Sequence, residues 1–174
     1  NPNAELYKLD SIKLFAAYTN NTSGLIPIKT VFFEYDYSLC NNNPSTVRHG
    51  TNPSQNGKLT LKKISFSYGK SKKAMQSPYE FSYGINPDYH AKKVDRWGNY
   101  KRGIQEDFPY TNQNKIEQNI DAAAWLLDSI KTPQKATLQI TYESDDYAFV
   151  QDKKATTMYK IKGVCREANG EIDP

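Results

Sequence analysis

The chain is poor in the residues that staple small folds and hold metals: its 174 residues include two cysteines, two histidines, two methionines and two tryptophans. That scarcity excludes a disulfide framework. Cys40 and Cys165 lie in no CxxC and in no Cys/His cluster, so a zinc site is not expected. They could close one bridge across a very long loop or remain separate thiols, and the count does not choose between the two. No apolar run approaches the roughly 18 residues of a membrane-crossing helix. GxSxG, HExxH, a P-loop and GxGxxG are all missing, and neither His49 nor His90 sits in a nucleophile motif, so no enzyme is expected. Hydrophobic residues reach only 37% and mean hydropathy is −0.79, a balance that would suggest disorder were it not for 13% aromatics, 13 residues of them tyrosine. Rich in Tyr and short of aliphatics, the chain reads as a β protein with wet faces, long enough to bury one core and expected to form a single domain over residues 1–174.

The charge of +4 is patchy rather than diffuse. Lys62, Lys63, Lys70, Lys72 and Lys73 cluster around Tyr68, and Lys92, Lys93, Arg96, Lys101 and Arg102 around Trp97. Lysines commonly guard exposed strands, which is the expectation here, and no nucleic acid is expected because Tyr and Phe at alternating positions belong to a core.

An imperfect internal repeat organises the chain. Leu9-Asp10-Ser11-Ile12-Lys13, Leu61-Lys62-Lys63-Ile64-Ser65 and Leu127-Asp128-Ser129-Ile130-Lys131 share Leu-x-x-Ile. Apolar-x-Tyr segments follow: Phe33-Glu34-Tyr35, Phe66-Ser67-Tyr68 with its copy Phe81-Ser82-Tyr83, and Ile140-Thr141-Tyr142. Alternation puts both rings on one strand face and Glu34, Ser67, Ser82 and Thr141 on the other. The predicted fold is mainly β, antiparallel hairpin repeats in a twisted sheet or sandwich, with strands near residues 6–18, 28–38, 58–69, 78–84, 125–131, 136–144 and 155–164. Residues 41–57 read as a mobile polar loop, and Thr132-Pro133-Gln134-Lys135 as a tight turn. Ile116, Ile120, Ala123, Ala124 and Leu127 fall at helical spacing, which predicts one short helix over 113–124 capped by Thr111 or Asn112, with one helix continuing to Ile130 as the rival.

Two groups carry candidate chemistry. Asp95-Arg96-Trp97-Gly98-Asn99-Tyr100 reads as a rigid corner; with Trp97 in solvent it would be a ligand platform, a ring face for a glycan rimmed by Asp95, Arg96, Asn99 and Tyr100. Glu143, Asp145 and Asp146 are oxygen ligands of the kind calcium takes, without an EF-hand loop, and paired carboxylates also hydrolyse glycosides when they face each other across a cleft. Capping, turns and pairing with Lys153 and Lys154 are their default role, and no cofactor is expected beyond a possible calcium ion.

Several blocks occur in a telling order: Leu9 to Lys13, Ile28-Lys29-Thr30-Val31-Phe32-Phe33-Glu34-Tyr35, Lys58 to Ile64, Ser77-Pro78-Tyr79-Glu80-Phe81-Ser82-Tyr83, Asp95 to Tyr100, and Leu127 to Tyr142. That order resembles the region upstream of, or within, the YD-repeat shell of large bacterial cell-surface proteins of the Rhs type. The regular YD dipeptide is missing, with only Glu34-Tyr35-Asp36-Tyr37 and Asp145-Asp146-Tyr147 near it. The resemblance implies a non-catalytic structural β segment of a larger secreted or surface-displayed protein, often one that delivers a toxin. Its partners would be the remainder of that polypeptide or neighbouring surface proteins. The start, Asn1-Pro2-Asn3, then reads as a cut or mature end. The alternative is a carbohydrate- or protein-binding β-sandwich that uses Trp97.

Overall fold

The computed structural model describes residues 7–16, 25–43, 56–95, 97–104, 114–146, 148–150 and 152–154. Strands β1 (Ser11–Leu14), β2 (Lys29–Leu39), β3 (Lys58–Tyr68), β4 (Tyr79–Tyr83), β5 (Leu127–Lys131) and β6 (Thr137–Gln139) form one antiparallel sheet in chain order. A 3-10 turn at Lys73–Gln76 precedes β4, helix α1 (Lys115–Ala122) lies between β4 and β5, and a ribbon of β7 (Phe149–Val150) and β8 (Lys153–Lys154) follows. The fold is thus mainly β with one short helix, as expected, and its six principal strands make a single open sheet rather than a sandwich among the described residues. The strand expected at 155–164, residues 44–55 of the polar loop, His49, Arg96, Tyr147 and Cys165 lie outside the described residues.

Helix α1 is capped by Asn114, whose side chain accepts the Ile116 N–H, rather than by Thr111 or Asn112, which lie outside the described residues; Glu117 sits in its first turn. Both choices favour the positive end of the helix. The helix does not run on to Ile130. Trp125 adopts φ +62, outside the helical region, and its N–H donates to the Ile85 carbonyl (2.8 Å), which turns the chain into β5. The turn after β5 closes through the Thr132 N–H on the Ala136 carbonyl (2.8 Å) and the Lys135 N–H on the Thr132 carbonyl (2.9 Å).

The repeat read in the sequence is a repeat of hairpins. Ile12 stands opposite Val31, Ile64 opposite Tyr79, and Ile130 opposite Leu138, so the Leu-x-x-Ile strands β1, β3 and β5 each pair forward in one register. In every hairpin the tyrosine four residues beyond that partner reaches back to the leucine: Tyr35 Oη donates to the Leu9 carbonyl (3.1 Å), Tyr83 to Leu61 (3.0 Å) and Tyr142 to Leu127 (2.8 Å). Phe66-Ser67-Tyr68 plays no such part, because it continues β3 itself. The seams between hairpins also match. Phe33 faces Ile64 and Tyr35 faces Leu61 with Lys62 as an extra residue; Phe81 faces Ile130 and Tyr83 faces Leu127 with Asp128 as the extra one. Such bulges bend the strand and sharpen its twist at the same place in each seam.

Because paired residues share a face, the register sorts the side chains. Ile12, Val31 and Phe66, then Phe33, Ile64 and Tyr79, then Phe81, Ile130 and Leu138, form apolar rows on one face. On the other, Glu34, Lys63, Glu80 and Lys131 make a row of alternating charge across four strands, with ion pairs at 3.5 Å (Lys63 to Glu34) and 3.6 Å (Lys131 to Glu80). Partly exposed pairs of this kind add at most about 1 kcal/mol each, so the row chiefly fixes register.

Candidate functional site

The Asp95 to Tyr100 turn is a closed corner. Asp95 Oδ1 accepts the N–H groups of Trp97 and Asn99 (both 2.9 Å), Oδ2 accepts Asn99 Nδ2 (3.2 Å), and the Gly98 N–H donates to the Asp95 carbonyl (3.1 Å). Gly98 has φ +91, a value that L side chains avoid. Asp95 and Asn99 are therefore occupied in shaping the turn, which carries Trp97 at its tip, 72% exposed. Tyr100 serves a different cluster: its ring stands edge-on to Trp125, with centroids 5.0 Å apart.

Trp125, which sequence reasoning passed over, is the hub of that cluster. Its indole N–H donates to the Pro87 carbonyl (2.7 Å), and the Lys58 ammonium lies 5.4 Å from its ring centroid. The segment after β4 is stitched across the bulged end of β2: Asn86 Oδ1 accepts the Cys40 N–H (2.8 Å), Asn86 Nδ2 donates to the Ser38 carbonyl (2.9 Å), and the Tyr89 N–H donates to the Asn41 carbonyl (2.7 Å). Leu39, Cys40 and Ala124 are the buried apolar residues among those described. The small core thus gathers at this corner of the sheet.

Helix α1 is tied to the 93–102 segment by an ion pair. Asp121, 4% exposed, accepts both the backbone N–H and the Nε–H of Arg102 at 2.9 Å, while Arg102 Nη2 donates to the Glu117 carbonyl (3.2 Å). A nearly buried carboxylate is tolerated only when charge and hydrogen bonds both meet it, and here they do. Lys101 corrects an expectation: grouped with surface lysines in the sequence, it is 1% exposed, its backbone held across the 93–101 turn by its N–H on the Lys93 carbonyl (3.0 Å). Burial pushes the Tyr100 hydroxyl up, Asp121 adds to the rise and Arg102 opposes it.

A cavity of about 300 Å³ lies between α1, the end of β4 and the β5–β6 hairpin, walled by Ile85, Ile120, Ala123, Leu126, Ile140 and Tyr142. The polar groups around it are engaged with one another. Asn119 Oδ1 accepts the Ser144 N–H (3.0 Å) and Oγ–H (2.9 Å), and Gln139 Nε2 donates to Asp128 Oδ1 (2.9 Å). This arrangement has the size of a small, mostly apolar pocket; the one carboxylate in its wall, Asp128, accepts from Gln139.

The acidic segment runs beside α1. Asp146 forms an ion pair with Lys115, whose amine is held above its ordinary value first by that hydrogen bond and by the charge of Asp146, then by Glu143. Among the described residues no three His, Cys, Asp or Glu side chains converge as a metal ion requires, and Glu143, Asp145 and Asp146 form no such group. No helix of the described residues is long and apolar enough to cross a membrane. No family model, no curated protein and no solved structure matches the chain.

Proposed function

We propose that the chain is a non-catalytic structural β segment that joins further β structure, within a large exported bacterial surface or toxin-delivery protein of the Rhs type. The supporting observation is the open sheet. Among the described residues nothing pairs with the outer edges of β1 and β6, and the apolar face ends in exposed side chains at both. Sheets of this construction are completed by a neighbour, because unpaired backbone groups and uncovered apolar surface both favour addition of another strand or layer. The exported, Rhs-type setting rests on the sequence resemblance, and nothing in the described geometry positively indicates catalysis. The partner would be the remainder of a larger polypeptide or an adjoining surface protein. An antibody raised against this chain, used on a denaturing blot of the source cells and their medium, tests the reading. A band far above 19.9 kDa is expected, and a band at that mass would overturn it.

The exposure of Trp97 favours a second reading, a carbohydrate- or protein-binding module with Trp97 as its platform. Titration of the Trp97→Phe variant and its parent with soluble polysaccharides separates this indole from Trp125. A quench in the parent that the variant loses is the expected sign, and unchanged emission in both removes the reading.

A further inference from the structure

We infer that the outer edge of β6 accepts β1 of a second copy of this chain, so that copies join head to tail and one sheet runs through them. This rests on the assembly reading above and names its partner and register. The argument begins with the two seams already inside the molecule. Each takes a Leu-x-x-Ile strand onto the open side of the preceding hairpin, with Ile opposite Phe and Leu opposite Tyr. The third hairpin ends in the same equipment, Ile140 and Tyr142, and no described strand pairs with its outer edge, β7 and β8 forming a separate ribbon. Conversely, β1 overlaps Leu9-Asp10-Ser11-Ile12-Lys13, identical to the Leu127–Lys131 pentapeptide that β4 receives, yet no described strand precedes it. Each edge lacks what the other offers.

The backbone groups agree. The Ile140 N–H and the Asp10 carbonyl point into their own hairpins, toward Asp128 and Phe33 respectively. By alternation the N–H and C=O of Gln139 and Thr141, and of Ser11 and Lys13, point outward. Carrying the internal seam across places Ile140 opposite Ile12, Thr141 opposite Ser11 as Ser82 is opposite Ser129, and Tyr142 opposite Leu9, with Asp10 as the bulge. Six alternating strands leave β1 and β6 antiparallel, so a copy displaced along the sheet meets the edge in the correct direction with its apolar face on the same side. Ile12, Leu14 and Leu138, 52%, 57% and 56% exposed, would then adjoin. The contact is heterologous and repeats by displacement, which gives open chains rather than a closed dimer.

Sedimentation velocity of the full chain over a wide concentration range tests this. The average mass should climb with concentration past that of a dimer. Ser11→Pro and Thr141→Pro each delete one outward donor and no bond within the sheet, so each alone should remain monomeric. Mixed, they should stop at a one-to-one dimer, because only one intact β6 edge and one intact β1 edge remain to meet. A synthetic peptide of residues 7–16 should lower the parent's mass, and its Ser11→Pro version should not, an arm that needs no variant protein to fold. A parent that stays monomeric overturns the inference, as does association of either variant like the parent. Slow amide exchange at Gln139 and Thr141 in a monomer also overturns it, since the edge would then be filled from within one chain. A large precursor on the blot beside a monomeric chain in the centrifuge would sink the head-to-tail contact and leave the assembly reading standing.

Discussion

Cys40 sits just past the bulged end of β2, in a left-handed conformation (φ +56), fully buried, with its N–H held by Asn86. A non-glycine residue there costs on the order of 1 kcal/mol, and the Asn86 stitches are what hold it. Burial pushes the thiol up from its ordinary value of 9.0, Lys58 pulls it back and Asp88 pushes it further. The folded state therefore keeps its proton to higher pH than the unfolded chain does. Above 9.0 the native state binds more protons, so this group's contribution to stability is intact below that value and falls as pH rises through the native one. Urea midpoints should accordingly drop as pH rises above 9.0, with a shallower initial fall in Cys40→Ala. Tyr83, also raised by burial and then by Asp36, adds to the fall at the alkaline end. In the native chain Cys40 should resist iodoacetamide at neutral pH and react once urea is added; rapid native alkylation, located by mass spectrometry, would contradict its burial.

At the scale of the element, the tyrosine that reaches back to the first leucine defines each hairpin. The Tyr83 hydroxyl is partly buried on the Leu61 carbonyl, whereas Tyr35 makes its bond in solvent. Tyr83→Phe should thus lose about 1 kcal/mol and Tyr35→Phe clearly less, read as urea midpoints at unchanged slope. Equal losses would mean that the hydroxyl bonds do not set the difference. The hairpins were legible in the sequence because a strand buries one face and its side chains alternate with period two, so Phe33-Glu34-Tyr35 and Ile140-Thr141-Tyr142 announce themselves. Which of Tyr68 and Tyr83 closes the middle hairpin was not legible. Both stand in the same Phe-Ser-Tyr triplet, and only the pairing of β3 with β4 gives the bond to Tyr83. Nor was it legible that the chain beyond β6 leaves the hairpin for α1, where Asn119 takes the Ser144 N–H.

For the molecule as a whole, the main consequence is how little is covered. The buried apolar residues among those described are confined to the Trp125 corner, while the apolar rows of the sheet end at exposed Ile12, Leu14 and Leu138. A hydrophobic dye such as ANS should brighten on the native chain. Leu138→Lys should reduce that signal while moving stability by about 0.5 kcal/mol or less, as surface changes usually do. Emission no stronger than that of a well-packed protein of similar size would show the face to be covered.

The sequence by itself determined the antiparallel hairpins, their Leu-x-x-Ile and apolar-x-Tyr strands, the short helix before Leu127 and the corner built on Asp95 and Gly98. Each of these depends on the period of a strand or helix, or on a turn chemistry spelled by neighbouring residues. Only the tertiary structure decided that Trp125 takes a left-handed turn between two carbonyls of the 85–87 segment, that Asp121 holds Arg102, that Lys101 is buried while Trp97 is not, and that Tyr100 packs on Trp125 rather than standing beside Trp97. Those outcomes arise where segments far apart in the chain compete for the same hydrogen bonds and the same small core. Local patterning carries no record of which partner wins.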